Sequence, residues 1–239
     1  HRCYIKKNEM LRHLAIIMDG NGRWAEKRGK PRIEGHRAGA DALDRVMHYC
    51  SEAGIEYLTV YAFSTENWKR SKEEVSGLMK LLSLYIKTKA AKLIAESVRF
   101  KVIGRKEDLS EGLRKEIDAL EKKTADGRFT LQVALSYGGR AEIVDACKKA
   151  VELASKGELR HPIDEDTLSS LMYAPDAPDP DLIIRTSGEC RTSNFLLWES
   201  AYSEYYFTDV LWPDFSKEDF DDAIADFARR DRRMGGRKK

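Results

Sequence analysis

The run Leu14-Ala15-Ile16-Ile17-Met18 leads directly into Asp19-Gly20-Asn21-Gly22-Arg23. An unbroken apolar run of this length reads as a buried strand. The two glycines after it let backbone N–H groups approach a ligand, and a helix is expected to start there. A strand end with glycines at a helix N-terminus is a natural anion cradle. Asp19 puts a carboxylate beside that cradle, where it repels phosphate unless a hard cation bridges the two. That combination points to Mg²⁺. Arg23 adds a guanidinium fork for phosphate oxygens. The same spacing also fits an ordinary glycine-rich turn capped by Asp19.

Outward from this stretch, short apolar runs alternate with long amphipathic segments. Further strands are expected at 57–63, 98–103, 128–135, 181–185 and 205–207. Helices are expected at 35–53, 72–95, 109–124, 140–155 and 217–230. Ser71 opens the second of these helices, with Glu74 three residues on as in a capping box. This alternation predicts an α/β single domain: a mostly parallel central sheet of about six strands flanked by helices. The Pro-rich stretch 174–180 is a loop rather than a linker, because a strand follows at once. The expected division is an N-terminal extension over 1–12, the domain over 13–236 and a basic tail over 237–239.

Composition excludes several classes. At 42% hydrophobic residues the 239-residue chain can bury a core. Lys+Arg 42 against Asp+Glu 40 leaves +2, so bulk charge does not point to nucleic acid, and an anion site must come from local clustering. Cys3, Cys50, Cys147 and Cys190 are scattered without a C-x-x-C, which reads as reduced thiols in a cytoplasmic protein. No apolar run reaches the roughly 20 residues of a membrane span, and none near the start suits a signal peptide.

In open parallel sheets, ligands bind beyond the carboxyl ends of the strands. That rule selects three more segments besides 19–23. In Phe63-Ser64-Thr65-Glu66-Asn67-Trp68-Lys69-Arg70, Ser64 and Asn67 can hydrogen-bond a reacting group and Arg70 can meet phosphate. The alternative is a capped loop with Trp68 as a packing anchor. Tyr137 to Arg140 is the second segment. In the third, 185–194, Arg185 and Arg191 flank a turn and Ser193 supplies a hydroxyl, a set that suits a diphosphate. Glu204 lies in an aromatic run, where a charge is costly unless it is paired or binds a metal. His36, near Arg32, fits either a phosphate donor or a helix cap. Asp221, Asp222 and Asp226 read as the solvated face of a helix whose apolar stripe is Phe220, Ile224 and Phe227.

Taken in order, these segments resemble the cis-prenyltransferases, the undecaprenyl-diphosphate synthase family. The patterns are M-D-G-N-G-R-W at 18–24, G-H-R-A-G at 35–39, Y-A-F-S-T-E-N-W at 61–68 and Y-G-G-R at 137–140. R-T-S-G-E-C-R-T-S-N-F-L-L-W follows at 185–198, then Y-F-T-D-V-L-W-P-D-F at 206–215 and R-M-G at 233–235. Ser187, Cys190 and Thr192 depart from residues common in bacterial members.

The resemblance implies extension of an allylic diphosphate, commonly farnesyl diphosphate, by isopentenyl diphosphate units with cis geometry. Carried over by position, Asp19 holds metal and pyrophosphate, and Gly20, Asn21, Gly22, Arg23 and Arg32 cradle the allylic diphosphate. His36, Ser64, Asn67 and Arg70 stand near the reacting groups with Glu66 beside them; Asp19, His36, Ser64 and Asn67 are the expected catalytic set. Trp24, Phe63 and Trp68 surround the substrate entrance. Arg185, Arg191 and Ser193 resemble the isopentenyl diphosphate site, and Glu204 a second metal contact. Arg233 and Gly235 match a C-terminal R-x-G that reaches the neighbouring subunit in a homodimer. The growing chain requires an apolar tunnel, expected between Val75, Leu78, Met79, Leu82, Tyr85 and Ile86 on one side and Ala62, Val98 and Phe129 on the other, with Phe129 as its floor. The remaining expectations are Mg²⁺ as cofactor, no nucleic-acid partner, and a peripheral membrane contact for product release. A non-catalytic partner subunit would lack the Asp-Gly-Asn-Gly-Arg loop. A nucleotide-binding α/β protein would need a G-x-x-x-x-G-K-[ST] or G-x-G-x-x-G turn after the first strand, and neither is present.

Overall fold

The computed structural model describes residues 11–159 and 162–232. The apolar run forms β1 (His13–Ile17), and every residue in it is buried. β2 (Tyr57–Ser64) and β5 (Leu182–Arg185) pair with it on either side, both parallel. β4 (Phe129–Tyr137) lies beyond β2, and β3 (Val98–Ile103) forms one edge. β6 (Glu204–Phe207) forms the other, so the sheet order is β3-β4-β2-β1-β5-β6 with every pairing parallel. Interior strands are covered on both faces, which is why β1, β4 and β5 are buried throughout while the edge strand β6 is not.

Period-2 alternation divides each strand between two cores. Leu14, Ile16, Leu58, Val60, Leu131 and Val133 face a large core. It is covered by α2 (Arg32–Glu52), α3 (Lys72–Ala95), α4 (Glu111–Lys123) and α7 (Lys217–Arg229). Ala15, Ile17, Ala134, Tyr137 and Ile183 face a smaller core closed by Phe195 and Leu196. α5 (Gly139–Ser155) follows β4 directly, and α6 (Glu165–Ser169) is a short turn of helix that the apolar pattern did not signal. Each fully buried aliphatic side chain contributes on the order of 2 kcal/mol.

Element ends follow local chemistry. α2 starts before the expected Gly35 because Pro31, with φ −58°, presets its N-cap. α4 starts at Glu111 rather than at 109 because the Ser110 side chain accepts from the Leu113 N–H. Ser71 caps α3 by accepting from the Glu74 N–H.

α1 (Asn21–Glu26) is the short helix opened by the glycine-rich loop. It packs on α2 at a distance only glycine permits. A Cβ on Gly35 would lie 1.9 Å from the Asn21 carbonyl oxygen, and one on Gly39 would lie 2.4 Å from Asn21 Oδ1. The i,i+4 glycines of Gly35-His36-Arg37-Ala38-Gly39 therefore form a groove that seats the Asp19 loop.

Gly35→Ala is expected to lower stability by about 1–3 kcal/mol through overpacking. Gly112→Ala on α4, where an added Cβ meets nothing within 4 Å, is expected to be neutral or to stabilise by up to about 1 kcal/mol. Urea unfolding of both variants checks the contrast; equal effects would contradict the groove.

Candidate active site

The chain leaves β1 toward β2 on one side and leaves β5 toward β6 on the other. The carboxyl ends of β1 and β5 therefore open onto a crevice at the reversal of strand order, where α/β sheets bind ligands. Asp19 stands two residues past the end of β1, and Arg185 is the last residue of β5. Arg185 is 5% exposed, so its charge must be paired. Its Nη2 donates to Asp19 Oδ2 at 3.0 Å, and its Nη1 donates to Ser193 Oγ and to the Arg191 carbonyl, both at 2.6 Å. One guanidinium thus ties the first loop to the loop after β5.

Arg23 reinforces the junction. Its Nη2 lies 3.4 Å from Asp19 Oδ1, and its Nη1 donates to the Ser187 carbonyl at 3.0 Å. Arg191 is held outward by Glu189 at 2.5 Å. Gly20 occupies the α1 N-cap with no side chain capping it, so the first-turn N–H groups stay free. The Arg32 guanidinium lies over Gly22, where a Cβ would meet it at 2.6 Å, and pairs with Glu26 at 2.5 Å. Arg70 pairs with Glu74 at 3.0 Å. Arg32, Arg70 and Arg191 are themselves exposed and rest on exposed or half-buried carboxylates, contacts worth little and easily exchanged for phosphate.

Ser64 and Asn67 form a reciprocal cap on the 3₁₀ turn Thr65–Lys69. Ser64 Oγ accepts from the Asn67 N–H at 3.2 Å, and Asn67 Oδ1 accepts from the Ser64 N–H at 3.0 Å. With those lone pairs committed, the Ser64 hydroxyl proton and the Asn67 amide remain as donors toward the crevice. Burial first, then the positive charge of Arg70, lower the His36 imidazole to about 4.

Beneath the mouth lies a cavity of about 650 Å³ between the sheet and α2 and α3. Asp19, Asn21, His36, Arg185 and Ser193 line its mouth, together with Ser64, Glu66, Asn67 and Arg70 from the loop after β2. Leu43, Leu78, Met79 and Leu82 line its apolar depth, with Tyr85, Phe100 and Val133 among the lining residues. The first half of α3 is only partly buried because its apolar side chains face this space. Val75, Ile86, Val98 and Phe129 are not on its wall. Phe129 precedes Val133 by two pleat repeats on β4, so Tyr85 and Phe100, not Phe129, stand at the deep end.

Other expectations are corrected. Trp24 Nε1 donates to Asp214 Oδ1 at 2.7 Å and its ring carries Arg28, so it anchors α1 rather than lining the mouth. Trp68 packs edge-on against Phe63 and donates to Ser136 Oγ at 2.8 Å; only Phe63 reaches the cavity. Glu204 does not join Asp19 within one chain. It opens β6 in register with Leu182, whereas Asp19 lies beyond the Ile17–Arg185 pair. At about 3.3 Å per residue the two acids stand on the order of 15 Å apart along the strands. Glu204 instead accepts from Arg230 at 2.7 Å. Arg233 and Gly235 lie outside the described residues.

Two contributors had no assigned role in the sequence. Asn194 Nδ2 donates to Glu66 Oε1 at 3.0 Å, its Oδ1 accepts from the Arg140 N–H at 2.9 Å, and its φ is 65°. Left-handed φ is where Asn is enriched, the one sequence signal available for it. Tyr61 stacks on Phe195 at 4.5 Å and donates to the Ser193 carbonyl at 3.3 Å.

The donor set suits a magnesium ion shared with substrate. Magnesium typically takes one or two carboxylates and completes its shell with phosphate oxygens and water. Asp19, at the cavity mouth, supplies the carboxylate; Asn21 Oδ1 is buried against Gly39. Among the described residues no cluster of three or more His, Cys, Asp or Glu side chains forms a self-sufficient metal cage.

Arginines converging on an acid-and-glycine loop, at the mouth of an apolar cavity, define a site for a diphosphate ester of a hydrocarbon. Residues 17–235 match the family described as "Putative undecaprenyl diphosphate synthase". An isoprenyl transferase of Heliobacterium mobile is 51% identical over 97% of this chain and 90% of its own. One from Thermotoga maritima is 53% identical over 94% of this chain and 96% of its own. The crystal structure of lavandulyl diphosphate synthase from Lavandula x intermedia in complex with dimethylallyl diphosphate is 36% identical, with a TM-score of 0.91 over 96% of this chain and 100% of that one. The chain belongs to the undecaprenyl diphosphate synthase family and is a cis-prenyltransferase enzyme. Among the described residues no helix is long and apolar enough to cross a membrane.

His36 is expected to stay neutral in the unliganded protein from pH 8 down to about 5. Its folded value lies below the ordinary 6.5, so it lowers stability as pH falls from 6.5 toward 4. A histidine NMR titration checks this; a midpoint near 6.5 for His36 would contradict it.

Proposed function

We propose that the enzyme condenses isopentenyl diphosphate units onto an allylic diphosphate, farnesyl diphosphate being the expected starter. The product is a long cis-polyprenyl diphosphate such as undecaprenyl diphosphate, and pyrophosphate is released. The observation that carries this reading is the contact of one buried guanidinium, Arg185, with both Asp19 and Ser193 at the mouth of the cavity. Two polar loops meeting over one apolar space suit two diphosphates whose hydrocarbon parts must react and then move inward.

The chemistry follows from charge. Breaking the allylic C–O bond leaves its electron pair on pyrophosphate and positive charge on the allyl group. Arg23, Arg32 and the N–H groups of α1 would stabilise the former beside the cavity mouth. The isopentenyl double bond attacks the allylic carbon, a new C–C bond forms, and a proton leaves the adjacent carbon. Ser64 and Asn67 donate toward that region and orient the reacting groups; the departing pyrophosphate is the better proton acceptor there. Asp19 would hold Mg²⁺, which supplies Lewis-acid stabilisation of the leaving group. Water is excluded by the apolar wall, and the lengthening chain occupies the space beneath. We further propose a homodimer, in which Arg233 and Gly235 serve the neighbouring site, and release of product at a membrane surface. The allylic diphosphate bound to the lavandulyl diphosphate synthase relative supports the choice of substrate class.

Incubation with farnesyl diphosphate, labelled isopentenyl diphosphate and Mg²⁺, followed by chromatography, is expected to show elongated products that disappear with chelator. Absence of elongation in the presence of metal would overturn the reading. Asp19→Ala is expected to lower kcat by about 10²–10³. Phe100→Ala is expected to lengthen the product distribution while Phe129→Ala leaves it unchanged; the reverse pattern would relocate the end of the cavity.

A further inference from the structure

On the face of the sheet opposite the cavity, two carboxylates meet, and among the described residues no cation stands between them. Glu142, in the first turn of α5, is 1% exposed. Its Oε2 accepts from the Tyr137 hydroxyl, and its Oε1 accepts from the Tyr173 N–H at 2.8 Å. Glu199, from the segment that follows Ser193, contacts the Glu142 carboxyl, and its Oε2 is buried with no hydrogen-bond partner. Two ionised carboxylates in that position would repel each other in a poorly solvated space, whereas a single shared proton supplies the missing partner.

The pair joins segments that the substrate site already uses. The Gly139 N–H donates to the Asn194 carbonyl at 2.7 Å and the Arg140 N–H to Asn194 Oδ1 at 2.9 Å. These bonds tie the start of α5 to the loop that carries Ser193. Glu142–Glu199 is a second tie between the same two segments. Phe195 lies between them and the crevice, packed on Tyr61 and Tyr137.

We propose that Glu142 and Glu199 share one proton and so act as positioning residues that hold the Ser193–Phe195 segment in place for the second diphosphate. The positioning half rests on the reading of Arg185, Arg191 and Ser193 as the isopentenyl diphosphate site; the shared proton does not.

The surroundings are consistent. Burial first, then the charge of Glu142, push Glu199 up to about 8, and burial raises Glu142 above the usual carboxylate range. The groups facing the pair are Tyr137 from β4, Lys149 from α5, and Tyr173 and Asp179 from the segments before β5. Tyr61 of β2 faces Tyr137, and Tyr173 is engaged in turn by Asp145 and Arg105. Among the described residues, Lys149 is the cation whose charge bears on Glu142, and it donates instead to the Leu171 carbonyl at 3.4 Å. Asp179 adds a further negative charge felt by Glu199. Because the folded state retains a proton that the unfolded chain releases above about 4.5, this group's contribution to stability is complete below 4.5 and is lost as pH rises to about 8.

Glu199→Gln replaces the protonated acid by a neutral amide of the same shape and is the test. In the native enzyme, infrared difference spectroscopy at pH 7 is expected to show a protonated carboxyl that disappears through about pH 8 and is missing from the variant. The KM for isopentenyl diphosphate is expected to rise several-fold between pH 7 and pH 9 in the native enzyme but not in the variant. The kcat and the allylic KM should follow the same pH course in both. No protonated carboxyl at pH 7 would overturn the shared proton. A variant that retains the native rise in KM would overturn the positioning role, and a rise confined to the allylic KM would overturn the assignment of the loop as the isopentenyl site. If Glu199→Gln does not fold, Glu142→Gln is expected to give the same loss of pH dependence, and its retention of the native profile would overturn the proposal.

Discussion

The contact between Arg185 and Asp19 is the constraint around which the rest of the site is arranged. A guanidinium this deeply buried needs its charge paired; among the described residues Nε is left without a partner, but Nη1 and Nη2 are both engaged. Its partners come from the end of β1 and from the loop after β5. Removing one member of such a pair strands the other, at a cost of about 3–5 kcal/mol. The pair also sits where the strand order reverses, so it fixes the separation of the two loops proposed to receive the diphosphates.

Glycine spacing supplies the second constraint. The Asp19 loop reaches Arg185 because α1 sinks into the groove at Gly35 and Gly39. α3 does the opposite: its first half stands off from the sheet and leaves apolar space beneath the polar mouth. Tyr85, at the deep end, is pinned by its hydroxyl to Asp44, which also receives Lys89. Close packing at the mouth and open space behind it are therefore both written into α2 and α3.

Much of this was legible beforehand, for identifiable reasons. The unbroken apolar run of β1 signalled a strand buried on both faces, and the capping serine at 71 marked a helix start that the structure retains. Asp19, Arg185 and Ser193 were legible because strand-end loops of a parallel sheet converge. What was not legible depended on register or on partners distant in sequence. Glu204 read either as a paired charge or as a metal ligand, and register places it at the far end of its strand, paired with Arg230. Trp24 looked like an entrance residue until Asp214 claimed its indole. Phe129 and Phe100 are both large, apolar strand residues, and only the three-dimensional course of α3 decides which one the cavity meets. The Glu142–Glu199 contact links positions far apart in the chain and leaves no local pattern.

In the proposed site Arg185, by holding the Asp19 loop against the loop of Ser193, acts on the binding of both diphosphates. Lysine at position 185 keeps the charge but cannot span Asp19, Ser193 and the Arg191 carbonyl together. The decisive measurement is the Kd of farnesyl diphosphate and of isopentenyl diphosphate, each determined separately with Mg²⁺ by calorimetry, in the native enzyme and in Arg185→Lys. The account predicts that both affinities fall, by roughly tenfold or more, as expected for a lost charge-assisted bidentate contact. Weakened binding of isopentenyl diphosphate with unchanged binding of farnesyl diphosphate would contradict it.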